Sequence, residues 1–323
     1  MADILAALNM IFVPLNLLGL AFGVAVGIAF GCMPGLSVNM GLALLFPLAF
    51  SFQGIGGILM LLGIYCGAIY GGSISAILLK TPGTPASVAT TLDGYPMATK
   101  LKQPGRALGL STMASMFGGV FSTICLILLA PQLAKFALQF SKPEYFALAI
   151  FGLSIITSVS SGSVVKGIMG GLFGLFLATV GIDDMSGTVR FTMDTTYFLG
   201  GVSFIPVLIG VFAFAQVLTS IEDYHQSPQS EPIKFLDKVL PSWADIKKVF
   251  VTLVRSSTIG TFIGCVPGTG GDIASFVSYD QAKRWSKNSA NFGNGEPEGV
   301  AAPEAGNNAV SGGAFIPVLT LGI

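Results

Sequence analysis

The stretch LLGLAFGVAVGIAFGCMPG, residues 17–35, carries no charge and ends its apolar run in Pro-Gly. With the residues before it, the run is long enough to cross a bilayer, which takes about 20 mostly apolar residues. Its last five residues, GCMPG at 31–35, return as GCVPG at 264–268. In both copies a polar residue stands four positions past the second glycine: Asn39 in the first, Asp272 in the second. Proline removes a helix hydrogen bond and clashes with the preceding turn, and glycine opens dihedrals closed to other residues. In hydrocarbon an unpaired backbone group is costly, so such breaks persist only where protein buries them or where they line an aqueous cavity.

Composition agrees with a membrane setting. Of 323 residues 52% are hydrophobic and 10% charged, against about 25% charged in soluble domains. Glycine occurs 42 times, and membrane helices are richer in it than soluble ones. The net charge is zero and no Lys/Arg block occurs, which argues against a nucleic-acid partner. Cys32, Cys66, Cys125 and Cys265 lie in apolar runs without metal-ligand spacing and read as packing residues. His225, the one histidine, reads as solvated in a polar loop. The first 16 residues lack a basic start and read as part of the mature chain.

Membrane spans are expected at 11–30, 54–79, 108–130, 145–161, 164–182, 197–219 and 249–266. Segments 36–50 and 272–282, which follow the Pro-Gly breaks, are too short or too broken to cross simply. If the charged connection 220–248 is cytoplasmic, ten basic residues fall inside and three outside, the bias expected of cytoplasmic loops. On this scheme 80–107 is an inside loop and 183–196 lies outside. The fold expected is an all-α membrane protein: a polytopic helical bundle with two internal repeats, read as inverted, and interrupted or re-entrant helices at the Pro-Gly breaks. Residues 1–221 form a first repeat half with scaffold helices, 222–248 a polar cytoplasmic linker, and 249–323 the start of a second half that breaks off in mid-motif.

A second pair of segments supports the repeat. YCGAIYGGSISAILLKTPGTPAS at 65–87 and PEAGNNAVSGGAFIPVLTLGI at 303–323 carry a Gly-Gly pair in matching places. Interrupted helices in corresponding positions of two halves are the best sequence pointer to a transporter binding site. A half-helix beginning in mid-membrane points free N–H groups and a positive dipole end at whatever lies ahead of it, which suits a carboxylate. The substrate-binding candidates are therefore Gly35, Leu36, Ser37 and Asn39 after the first break, Gly83 and Thr84 after Thr81-Pro82, and Gly268, Thr269 and Gly270 after the second. Asp272 is expensive inside a membrane. With Asn307 and Asn308 it is the candidate cation site, because hard cations take oxygen ligands. Lys80 can either neutralise a substrate carboxylate or reach the interface, and the latter is favoured. Glu296, Glu298 and Glu304 lie in a polar, proline-bearing stretch and read as mostly solvated, Glu304 being the one nearest a site.

Together, GCMPGLSVNMGLALLFPLAF, YGGSISAILLKTPGTPASVATTLDGYPMATKLKQPGRALG and PEAGNNAVSGGAFIPVLTLGI resemble the signature segments of the TctA family, the large membrane subunit of bacterial tripartite tricarboxylate transporters. The resemblance implies a secondary, cation-coupled symporter in the bacterial inner membrane that imports a citrate-like carboxylate. It also implies a small TctB-like membrane subunit and a periplasmic TctC-like solute-binding protein that delivers the substrate. No cofactor is expected beyond the coupling ion, Na+ or H+. The alternatives are a passive anion channel and, further off, an intramembrane serine hydrolase using Ser73 or Ser75 with Lys80; the chain is otherwise expected not to be an enzyme.

Overall fold

A computed structural model describes residues 9–33, 36–52, 54–137, 163–183, 186–202, 237–266 and 270–321, with a few isolated positions besides. The expected spans at 145–161 and most of 197–219, the linker up to 236 with His225, and Gly35, Gly268 and Thr269 lie outside the described residues. What is described is all-α apart from one two-residue antiparallel pairing, Gly181–Ile182 with Val189–Arg190.

The helices are α1 (Pro14–Cys32), α2 (Val38–Phe50), α3 (Gly56–Leu79), α4 (Val88–Thr99, entered through a 3-10 turn at Pro85–Ser87), α5 (Pro104–Ala137), α6 (Val164–Ala178), α7 (Trp243–Gly264), α8 (Gly271–Trp285) and α9 (Pro297–Leu321). Within the described residues, α1, α3 and the Pro104–Gln132 part of α5 are long and apolar enough to cross a membrane. Their outward faces carry Leu18, Phe22, Met116, Ile124 and Leu128, all exposed, as lipid contact requires. Helix α6 buries nothing within the described structure, and its outward residues include Val165, Met169 and Phe173.

Local chemistry sets the boundaries. Pro14 starts α1 at a position where a missing N–H costs nothing. Ser37 caps α2 by accepting from the Met40 N–H at 3.1 Å. Helix α3 stops where Lys80 turns left-handed, with φ 58°. Ser242 and Asp245 cap α7 reciprocally.

Two packing units result. In the first, α1 lies along α3 through glycine: a Cβ on Gly23, Gly27 or Gly31 would stand 2.2, 2.4 or 2.2 Å from the carbonyl oxygens of Met60, Ile64 and Ala68. In the second, α9 is gripped by α5, α7 and α8, with α4 alongside. Its core is Ile77, Met97, Leu110, Ala114, Val249, Leu253, Val300 and Ala305.

The structure corrects three expectations. The stretch 80–107 is not open loop throughout but contains α4, whose Thr90, Asp93 and Met97 are fully buried. The acidic stretch before residue 306 is packed rather than solvated: Glu296 is 4% and Glu304 0% exposed, because α9 begins at Pro297 and threads between its neighbours. Cys66 is exposed, lining a cavity rather than packing.

Candidate functional site

Three helix starts converge on one cavity of about 420 Å³. Ser37, Val38 and Asn39 come from the start of α2, Thr84, Pro85 and Ala86 from the turn into α4, and Gly271 and Asp272 from the start of α8. Tyr65 and Ile69 of α3 form one wall, Asn307 and Val310 of α9 another. The first N–H groups of a helix have no intrahelical acceptor, so the cavity is bordered by donors and by positive dipole ends. No Lys or Arg lines it among the described residues. Lys80 instead stands over the Tyr95 ring, 5.7 Å from its centre.

Of the residues expected from sequence, Ser37, Asn39, Thr84, Asp272 and Asn307 all line this cavity. Leu36 sits in the turn before α2, its N–H on the Met33 carbonyl. Gly83 is held under the first helices: its N–H donates to the Gly72 carbonyl at 3.3 Å, and a Cβ there would stand 1.9 Å from the Gly31 carbonyl oxygen. The Thr84 N–H is likewise taken, by Ser87 Oγ at 3.3 Å, while Ala86 lines the cavity in this segment. Gly270 caps α8, and the Asp272 carboxylate curls back beside it, since a Cβ on Gly270 would stand 2.4 Å from Asp272 Oδ1.

Asn307 is 2% exposed, and its Nδ2 has no hydrogen-bond partner among the described residues. Its Oδ1 lies against the backbone of Gly271, where a Cβ would stand 2.0 Å away. A buried amide donor left open onto a cavity is costly without a ligand or water. Asn308 is placed differently. Its Nδ2 donates to Ser115 Oγ at 2.9 Å and to the Glu304 carbonyl at 3.0 Å, and its side chain borders a second cavity. The structure thus joins Asp272 to Asn307 and Asn39 but not to Asn308.

Two buried acids were not anticipated as organising groups. Asp93 is 0% exposed and accepts from the N–H groups of Gly293, Gly295 and Glu296 at 2.7–3.0 Å, and from the Tyr279 hydroxyl at 2.9 Å. It ties α4 and α8 to the loop that enters α9. The clue in the sequence is a lone acid in the small-residue run VATTLDGYP. Glu304 accepts from the hydroxyls of Thr90 and Ser115, the latter at 3.0 Å. Glu296 pairs with Lys248, and Glu298 accepts from Thr252 at 2.7 Å.

Residues 17–323 match the model of a protein family described as the tripartite tricarboxylate transporter TctA family. The chain is also similar to two proteins of Agrobacterium vitis. The "Uncharacterized 52.8 kDa protein in TAR-I ttuC' 3'region" is 38% identical over 327 residues, which cover 100% of this chain and 64% of that protein. The "Uncharacterized protein in TAR-II ttuC' 3'region" is 55% identical over 64 residues, 20% of this chain and 26% of its own length. No solved structure matches.

Proposed function

This chain belongs to the tripartite tricarboxylate transporter TctA family, and from that premise we propose that it is the large membrane subunit of a secondary carrier. The carrier moves a carboxylate through the cavity where α2, the turn into α4, and α8 begin. One observation carries the reading: three helix starts face a common space without any basic side chain among the described residues. A lysine or arginine would hold a carboxylate tightly by charge. Backbone N–H groups and dipole ends hold it by direction, and a carrier must also let go.

Asp272 supplies the second half of the proposal. Its negative charge at the rim of an anion site repels the substrate unless a cation sits between them. Its carboxylate, with the Asn39 side chain on the same cavity, offers hard oxygen ligands of the kind sodium takes. A bound cation would lower the repulsion and make anion binding depend on it, which is the thermodynamic core of coupling. The substrate class is a citrate-like carboxylate, the setting the bacterial inner membrane with several crossings, and the partners a small TctB-like subunit and a periplasmic TctC-like binding protein.

The test is uptake of radiolabelled citrate into proteoliposomes holding the full-length protein with its partner subunits. Saturable uptake that accelerates under an inward cation gradient is expected. Equal rates with and without the gradient would remove coupling, and non-saturable flux with steady single-channel currents would indicate a channel. Asp272→Asn is expected to blunt cation dependence more than it lowers the amount of folded protein. Unchanged cation dependence in a well-folded Asp272→Asn protein would take Asp272 out of the site.

A further inference from the structure

Two buried acids in this protein face opposite surroundings. Asp93 accepts chiefly from backbone N–H groups, which can only donate, with the Tyr279 hydroxyl as one further donor. Glu304 is ringed by hydroxyls. Thr90 of α4 donates to one oxygen and Ser115 of α5 to the other, at 3.0 Å. Ser73 of α3 and Ser111 of α5, paired with each other at 2.8 Å, lie beside it. A hydroxyl donates to a carboxylate and, by turning, accepts from a carboxylic acid. The Glu304 cage therefore serves both protonation states with the same atoms.

Among the described residues no charged side chain pairs with it. Of the charged and acidic groups on the helices packed around α9, Asp93 bonds to the 293–296 amides and Tyr279, Arg106 to Asp245, Lys248 to Glu296 and Arg284 to Asp280, while Lys135, Lys247 and Lys283 are exposed. Arg255 stacks on Trp285, 4.7 Å from its ring centre, and the Tyr70 hydroxyl pairs with Thr112 at 2.7 Å. Asp272 borders the anion cavity. A buried carboxylate in neutral surroundings is disfavoured until something neutralises it.

We propose that Glu304 is a proton-carrying site, loaded and unloaded through Ser115, which borders a second cavity together with Asn308. That cavity measures about 500 Å³; its polar border includes Tyr70, Thr112, Ser115 and Asn308, and the rest is mostly apolar, the outward-facing Met116 and Ile124 included. It and the anion cavity flank the same two helices. Tyr65 and Ile69 of α3 face the anion side while Cys66 and Tyr70 face the other, and on α9 Asn307 and Asn308 divide in the same way. In the loading step a hydronium in the second cavity gives its proton to Ser115 Oγ as Ser115 passes its own hydroxyl proton to Glu304 Oε2. Water, an intact serine and a neutral acid remain, and unloading reverses this. A metal ion does not fit: hard cations need an open centre about 2.3–2.6 Å from each oxygen. Here the oxygens already touch one another, and Glu304 borders neither cavity. A proton needs no room.

The transport consequence rests on the carrier reading above; the protonation itself does not. Infrared difference spectra of the purified full-length protein, taken across about pH 5 to 8, are expected to show a carboxylic-acid carbonyl band that Glu304→Gln removes. Thr90→Val, which strips one hydroxyl from the cage, is expected to move its midpoint. A band that survives in Glu304→Gln, or no band in the wild type, overturns the proposal. In proteoliposomes with citrate as probe, Glu304→Gln is expected to lose accumulation driven by a pH gradient while citrate still exchanges across the membrane. Loss of sodium dependence with the pH response intact would make this a sodium site and end the proposal. Wild-type protein that moves no citrate at all would sink the carrier reading and leave the infrared result standing.

Discussion

Asp93 shows how one side chain can hold an element whose own sequence hardly favours it. Helix α4 contains Gly94 and Pro96 in 12 residues, both poor helix formers. Its carboxylate collects three backbone N–H groups and a tyrosine hydroxyl. Gly299 is kept small by the same group, since a Cβ there would stand 2.1 Å from Asp93 Oδ2. Each buried donor left unpaired costs about 1–3 kcal/mol. Asp93→Ala is therefore expected to lose about 3 kcal/mol or more, read as a fall in melting temperature in detergent. A variant melting with the wild type would mean that the amides find other acceptors. None of this was legible beforehand. The partners of Asp93 lie 186 to 203 residues away, and a charge count alone made its neighbourhood an inside loop. Asn39 and Asp272 were legible, because a repeated motif marks positions that no pairing rule has to locate.

Among the elements, the α1–α3 pair is the one whose packing the residues almost spell out. Gly19, Gly23, Gly27 and Gly31 recur every four positions and are buried, while α3 answers with Gly63, Gly67 and Gly71. A Cβ on these three would stand 2.5–2.7 Å from the carbonyl oxygens of Leu20, Val24 and Ile28. Small residues at this spacing let two membrane helices bring their backbones together. Filling the seam forces backbone apart rather than a flexible side chain, so Gly27→Val is expected to cost about 1–3 kcal/mol or more. Gly170→Ala, on α6 with nothing within 4 Å, is expected to stay within about 0.5 kcal/mol. Equal melting of the two variants would show that the helices can shift apart freely. A helix start was legible at Thr84-Pro85, a cap followed by proline, whereas the segments expected from 11 and 36 begin at Pro14 and, behind Ser37, at Val38. The start of α9 was not legible, because PEGVAAPEAGNN reads as a polar loop until its neighbours are known. Burial against α5, α7 and α8 supplies what its composition withholds.

Across the whole molecule the earlier and later segments are interlocked rather than joined end to end. Helix α9 packs chiefly on α5, and Asp237 reaches back to accept from the N–H groups of Gly105 and Arg106 at 2.9 and 2.7 Å. The same corner is closed by the ion pair between Arg106 and Asp245, 139 residues apart in sequence. A Cβ on Gly109 would stand 1.6 Å from the Val239 carbonyl oxygen, so the chain before α7 lies flat on α5. Burial pushes the Asp245 carboxyl up, but hydrogen bonds from Arg106 and Ser242 and the guanidinium charge outweigh it and hold the group below the usual range. A depressed folded value means the ionised form is the stabilised one. Its contribution is whole above the ordinary aspartate value of about 3.9 and drains away as pH falls from there through the lower folded value. Acid unfolding of the full-length protein is thus expected to steepen below about pH 4, and Asp245→Asn to flatten that limb while leaving the slope near neutrality alone. An acid limb unchanged in Asp245→Asn would place the pH sensitivity elsewhere and reduce the Arg106 corner to a passive contact. If the limb flattens, the corner is a charge-dependent tie between α5 and α7, and α5 is the helix that also presents Ser115 to Glu304.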